Sequence, residues 1–230
     1  MRQPISKEKY VVAAIITAVI FLFGLFVGLT IEGKRINVME DMYTEQRIKI
    51  ASNQLQYGYI SSMGEAASCP AIYNVLYNNV KELEDARTKL EDYARDSALN
   101  TKSFALLKQE YTIEQVRYWL LAEQAQKICG QDVVRMLYFY GSGVDCIGCD
   151  EQAFVLTYLK KLFGDKLLIF ALDGSFEQEP IIGVLKKQFN VTAYPGIVME
   201  NSTSSNIFMG KDELMAQICT RLHAPPRECE

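Results

Sequence analysis

The stretch "LYFYGSGVDCIGCDEQAF", residues 137–154, decides the fold of the C-terminal part of the chain. An aromatic, apolar run ends in Gly-Ser-Gly, Cys146 and Cys149 follow, and a helical pattern begins directly after them. A short β-branched and aromatic run bounded by glycine signals a strand. Three readings of the cysteine pair stand side by side: a redox centre, half of a metal site, or two cysteines that happen to be close.

Outward from this stretch the pattern stays regular. "VVRMLYFYG" (133–141) reads as the first strand, and the helix after it carries Phe154, Tyr158 and Leu162, with Val155 and Leu159, on its apolar face. "KLLIFALDG" (166–174) is almost continuously apolar, as a strand buried on both sides requires. "EPIIGVLKKQFN" (179–190) reads as a short helix opened by proline, a favoured first position. "PGIVMEN" (195–201) and "SNIFMG" (205–210) read as two strands joined by a polar turn, and "KDELMAQICTRL" (211–222) as a closing helix. The order β-α-β-α-β-β-α predicts a parallel crossover followed by a hairpin and helix, an α/β sheet with helices on both faces.

This order, with Cys146-Ile-Gly-Cys149 at the tip of the first strand and Tyr194-Pro195 opening the third, resembles the thioredoxin family over residues 132–222. The resemblance implies a thioredoxin-like α/β domain. It also implies that Pro195 is preceded by a cis bond and lies against the cysteine loop, and that Tyr194 and Pro195 form a platform for the substrate strand. The residues themselves add chemistry. Disulfide exchange needs a thiolate, and a helix N-terminus stabilises one through its dipole and free N–H groups. Cys146 is therefore the expected nucleophile and Cys149 the more buried resolving thiol. The chain departs from the family in three places: Asp145 stands where an aromatic residue is common, the "GSGVD" lead-in is longer, and "MLYFY" lacks the buried acid of the first strand. These leave the direction and rate of exchange open.

Zinc would need two further ligands. Cys219 and Cys229 are ten residues apart, with no second close pair, and His223 is the chain's one histidine. That spacing fits a zinc site poorly, so no metal and no cofactor are expected. A disulfide between Cys219 and Cys229, tying down the tail, is the expectation instead.

Upstream, Tyr10 to Ile31 runs 22 residues without a charge. A helix of that length spans about 33 Å, enough to cross a bilayer core of about 30 Å. It exceeds the apolar stretch of a cleaved signal peptide, and no small-residue cleavage site follows. Arg2, Lys7 and Lys9 precede it, against Lys34 and Arg35 after it, which places the N-terminus in the cytoplasm and the remainder outside. Gly24 and Gly28 form a GxxxG spacing suited to pairing two such helices as a homodimer.

Between the span and the α/β region, three helices are expected. The second presents Ile72, Leu76, Val80, Leu83, Ala86, Leu90 and Tyr93 on one face. The third runs through Leu107, Tyr111, Val116 and Leu120, with Trp119 as a core anchor. The first, about 36–60, repeats Ile48, Ala51, Leu55 and Tyr59 as a stalk. An antiparallel hairpin of the second and third helices brings Cys69 near Cys129, so these two are expected to pair outside the cytoplasm.

A net charge of −4 argues against a nucleic-acid partner. Asn190 and Asn201 match glycosylation acceptors. The expected organisation is a cytoplasmic tail (1–9), a membrane anchor (10–31), a helical stalk or bundle (34–130), a thioredoxin-like domain (131–224) and a tail (225–230). The expected function is a membrane-anchored thiol–disulfide oxidoreductase, acting outside the cytoplasm on exported proteins with cysteines or on a membrane redox partner. The alternative is a non-catalytic anchored interaction protein in which Cys146–Cys149 is a structural disulfide.

Overall fold

The computed structural model describes residues 7–63, 69–95, 101–141, 146–200 and 203–229, with side-chain surroundings in the first helix described over 10–27, 44 and 47–63. The chain divides into two compact units, residues 1–59 and 60–230. The first is carried by helix α1 (Lys7–Met63). Its segment Tyr10–Val27 is long and apolar enough to cross a membrane and is wholly exposed. Gly24 has nothing within 4 Å of a Cβ built on it, while Gly28 falls outside the described side chains. Farther along, Ile48, Leu55 and Tyr59 are also exposed.

The second unit holds α2 (Cys69–Arg95), α3 (Thr101–Cys129), β1 (Val134–Tyr140), α4 (Cys149–Phe163), β2 (Leu167–Asp173), α5 (Pro180–Gln188), β3 (Gly196–Met199), β4 (Thr203–Ser205) and α6 (Lys211–Cys219). The four strands form one mixed sheet in the order β2-β1-β3-β4. β1 and β2 are parallel, and β3 is antiparallel to both β1 and β4. Because successive strand residues point to opposite faces, β1 feeds two cores at once. Val134, Met136 and Tyr138 pack with Leu156, Leu159 and Phe163 of α4 and Leu214 and Ile218 of α6. Leu137 and Phe139 face the other way, onto Ile182 and Leu185 of α5 and onto Val116 and Trp119 of α3.

Within residues 60–230, α3 covers the sheet beside α5 and shares its core. Tyr118 meets Phe170 edge-on at 5.4 Å, and Trp119 meets Phe189 at 5.9 Å. Burying Trp119 and Val116 requires an apolar partner, and β1 and β2 present one. α2 and α3 form the antiparallel pair, with Ile72 and Ala86 fully buried as its face predicts. Asn79 donates to Glu114 at 2.9 Å inside that seam. Leu120, expected with the apolar positions of α3, is exposed, while Leu121, Ala122 and Ala125 are buried.

Two further expectations change. α4 buries Cys149, Gln152, Leu156, Leu159 and Phe163, leaving Phe154 and Tyr158 exposed. Two apolar stripes compete at helical spacing, and the one carrying Leu156, Leu159 and Phe163 faces the sheet. Strand β4 also ends at Ser205, so "SNIFMG" is mostly loop. Here side chains take the place of a ladder: Asn206 Oδ1 accepts from Thr192 N at 2.8 Å, and Asn206 Nδ2 donates to the Asn190 carbonyl at 3.1 Å.

Candidate redox site

The cysteines form three disulfides, Cys69–Cys129, Cys146–Cys149 and Cys219–Cys229. The first joins the start of α2 to the end of α3, and the third ties the C-terminal 3₁₀ turn (Arg227–Cys229) to the end of α6. Among the described residues no group of His, Cys, Asp and Glu is arranged to hold a metal ion.

Cys146–Cys149 stands apart in position. It lies just past the C-terminal end of β1, and α4 begins at Cys149 rather than at Cys146. Gly148 causes the shift: its φ of 95° lies in the left-handed region, so residues 147–148 turn before the helix can start. Cys149 is buried and Cys146 half-buried, with its sulfur bonded to the residue that opens the helix. Ile147 between them is 93% exposed, so the disulfide loop projects from the surface. The first turn of α4 also carries Asp150 and Glu151, whose charges oppose a thiolate there while the helix dipole favours one.

Tyr138 fixes the motif from below, donating its hydroxyl to the Cys149 carbonyl at 2.8 Å. Burial, with Asp150 and Tyr140 adding, pushes the Tyr138 phenol up to about 12, so it stays a donor. Gln152, fully buried one turn along, donates to the Met209 carbonyl at 3.2 Å and accepts from Met209 N at 2.8 Å. The loop 206–210 is thereby held against α4, and Phe208 lies beside Gly148.

The Tyr194–Pro195 bond is cis, and Pro195 is buried. The Tyr194 ring sits in a slot between two glycines. A Cβ on Gly141 would come within 2.8 Å of ring carbon Cδ2 and within 3.4 Å of Cys146 Cβ, and one on Gly174 would overlap the ring. At the far end, Lys186 Nζ donates to Tyr194 Oη at 2.5 Å and to the Gly174 carbonyl at 2.9 Å. A Cβ on Gly141 would thus meet both the Tyr194 ring and the first cysteine. A cleft of about 500 Å³ continues from Tyr194 along Gly174, Phe176, Glu179 and Ile182.

The structure therefore places Cys146, Cys149, Tyr194 and Pro195 at one end of the sheet. Asp145 and the rest of 142–145 lie outside the described residues, as does Asn201. Asn190 is exposed, with a positive φ of 52°. The sequence reading missed Gly141, Gly174, Lys186 and Gln152. Gly174 follows a strand and was legible as a turn, but nothing in its spacing announced an aromatic ring against it.

No family model matches the chain, and no curated protein matches it. Among solved structures, one described as "Structure of a malarial protein" is similar over 39% of this chain and 98% of that one, at 24% identity and a TM-score of 0.33, a score that supports no assignment.

Proposed function

We propose that this chain is a membrane-anchored thiol–disulfide oxidoreductase whose C-terminal sheet and helices form a thioredoxin-like domain. One observation carries the reading: a half-buried Cys146 is paired with a buried Cys149 that opens a helix, at the strand end where Tyr194 and Pro195 lie. In the reducing direction the Cys146 thiolate attacks a substrate disulfide. A mixed disulfide forms, one substrate sulfur leaves as a thiolate and is protonated, and the Cys149 thiolate then attacks the Cys146 sulfur. The second substrate thiolate leaves, and two electrons have passed to the substrate. In the oxidising direction the same steps run backward.

Exposure assigns the roles, since the substrate sulfur reaches Cys146 first and Cys149 is shielded until the mixed disulfide forms. The apolar segment Tyr10–Val27 is the anchor, and three disulfides fit an oxidising compartment outside the cytoplasm. Substrates in this reading are exported proteins with cysteines, or a membrane redox partner.

The test is insulin reduction by dithiothreitol, catalysed by the full chain in detergent, beside Cys146→Ser and Cys149→Ser. Catalysis by the parent, none by Cys146→Ser, and a trapped mixed disulfide with Cys149→Ser are expected. No catalysis and no trapped adduct would mean that the disulfide is structural and the chain an interaction module.

A further inference from the structure

Helix α3 lies outside the stretch that resembles thioredoxin, yet it reaches the cysteine site through one loop. Lys108 Nζ meets Asp173 Oδ2 at 2.5 Å where β2 ends, with the two side chains 23% and 10% exposed. The same ammonium sits 4.9 Å from the centre of the Phe176 ring. One residue on, Gln109 donates to the Gln178 carbonyl at 3.2 Å and to Glu179 Oε2 at 3.0 Å. Asp173 in turn shapes the loop from within: its Oδ1 accepts from Ser175 N at 2.9 Å and its carbonyl from Phe176 N at 3.1 Å. Gly174 N then donates to the Tyr140 carbonyl at 2.8 Å, which presses the loop onto the end of β1.

Gly174 is the wall of the Tyr194 slot, and its carbonyl anchors Lys186, which holds the Tyr194 hydroxyl. Contacts run from Lys108 to Asp173, to Gly174 and to Tyr194, whose ring and Cys146 both border the space that a Cβ on Gly141 would fill. We infer that Lys108 is a positioning residue of the Cys146–Cys149 site, acting through Asp173 and Gly174 on Tyr194, so that α3 is a working part of the site. The physical reason is the buried carboxylate. Asp173 needs a cation while it holds the loop, and removing the cation leaves an uncompensated charge that is relieved by reorienting the loop. That change moves the wall against which Tyr194 rests. Lys186 does not substitute for Lys108, because its contacts are to Gly174 and Tyr194. The activity arm of the test rests on the redox reading above, and the structural arm does not.

The experiment compares the full chain in detergent with Lys108→Met, Lys108→Arg and Asp173→Asn, by amide hydrogen exchange and by insulin reduction. In Lys108→Met, the peptides carrying Gly174–Phe176 and Tyr194 are expected to exchange about tenfold faster while α4 and α6 keep their protection. KM for insulin rises about tenfold with kcat within about twofold, as expected when a binding surface is displaced and the thiols are untouched. Lys108→Arg restores both. Asp173→Asn keeps the Ser175 acceptor and shows the same split at about threefold, and it serves if Lys108→Met fails to fold. Unchanged protection at Gly174–Phe176 overturns the inference whether or not the protein reduces insulin. Loosened protection with an unchanged KM in an active protein overturns it too. A parent inactive on insulin but loosened at Tyr194 by Lys108→Met supports the positioning and refutes the redox reading alone.

Discussion

The two ends of the sheet are built to opposite plans. Where β1 begins, Arg135 is 3% exposed and held by Glu200 at 2.8 Å, Gln126 at 3.0 Å and Glu123 at 3.6 Å. Asp132 accepts the amides of His223 and Ala224, and Lys166 reaches both Asp132 and the Ala224 carbonyl, so the tail is tied to the same end. Cys69–Cys129 closes a separation of 60 residues and Cys219–Cys229 one of 10. Where β1 ends, the disulfide spans only three residues, projects into solvent at Ile147 and is held from below by the Tyr138 hydroxyl on the Cys149 carbonyl. One end is fastened by crosslinks and buried charge, and the other presents a short crosslink with its loop in solvent. Under the proposed function, that contrast separates disulfides that hold a fold from one that takes part in exchange.

Stability tests the contrast first. In the chain-entropy model, removing Cys69–Cys129 costs on the order of 4 kcal/mol, Cys219–Cys229 about 3 and Cys146–Cys149 about 2, because the restraint grows with loop length. Denaturant unfolding of the three paired Cys→Ser variants checks that order, and a larger loss for Cys146–Cys149 than for Cys69–Cys129 would break the comparison. Next is Arg135→Met, which leaves Glu200 and Glu123 without their buried partner and is expected to cost about 3 kcal/mol while exchange activity per folded molecule stays at the parental level.

Gly174→Ala is the corresponding change at the open end. The new methyl overlaps the Tyr194 ring, so a stability loss of about 1–3 kcal/mol is expected from overpacking. Unlike Arg135→Met, it should also slow exchange, because the ring it displaces lies beside Gly141 and Cys146. Equal activity in the two variants would show that the ends are not functionally distinct.

The smallest effect is alkaline. Burial, with Asp173 and Tyr111 adding, pushes the Tyr140 phenol up to about 12, and Tyr138 behaves likewise. Between the unfolded value near 10 and the folded value, the unfolded chain has lost these protons and the folded chain has kept them. Stability is therefore full below about pH 10 and falls as pH rises toward 12. Tyr140→Phe should flatten that fall, as read by the midpoint of urea unfolding at pH 9, 10 and 11.

The order of elements along the chain was legible in sequence because it depends on local patterns, namely apolar runs, turn residues and a cysteine spacing. The nearness of Tyr194 and Pro195 to Cys146 and Cys149 was only implied by the resemblance to the thioredoxin family. What was not legible is long-range. That α3 covers the sheet depends on Val116 and Trp119 meeting β1 and β2, and helical periodicity cannot say which surface a stripe will find. Phe154 and Tyr158 show the same limit, since α4 carries two apolar stripes and the sheet selects one. The Tyr194 slot needs two glycines 33 residues apart in sequence to flank one ring, which no window of sequence displays.

The most direct test is a glutathione redox titration of the full chain in detergent, with thiol alkylation and peptide mass spectrometry at each potential. A redox couple at the open end predicts that Cys146–Cys149 equilibrates at a potential at least about 60 mV above the other two disulfides, which stay oxidised until denaturant is added. Reduction of all three together, or of Cys69–Cys129 before Cys146–Cys149, would contradict the account.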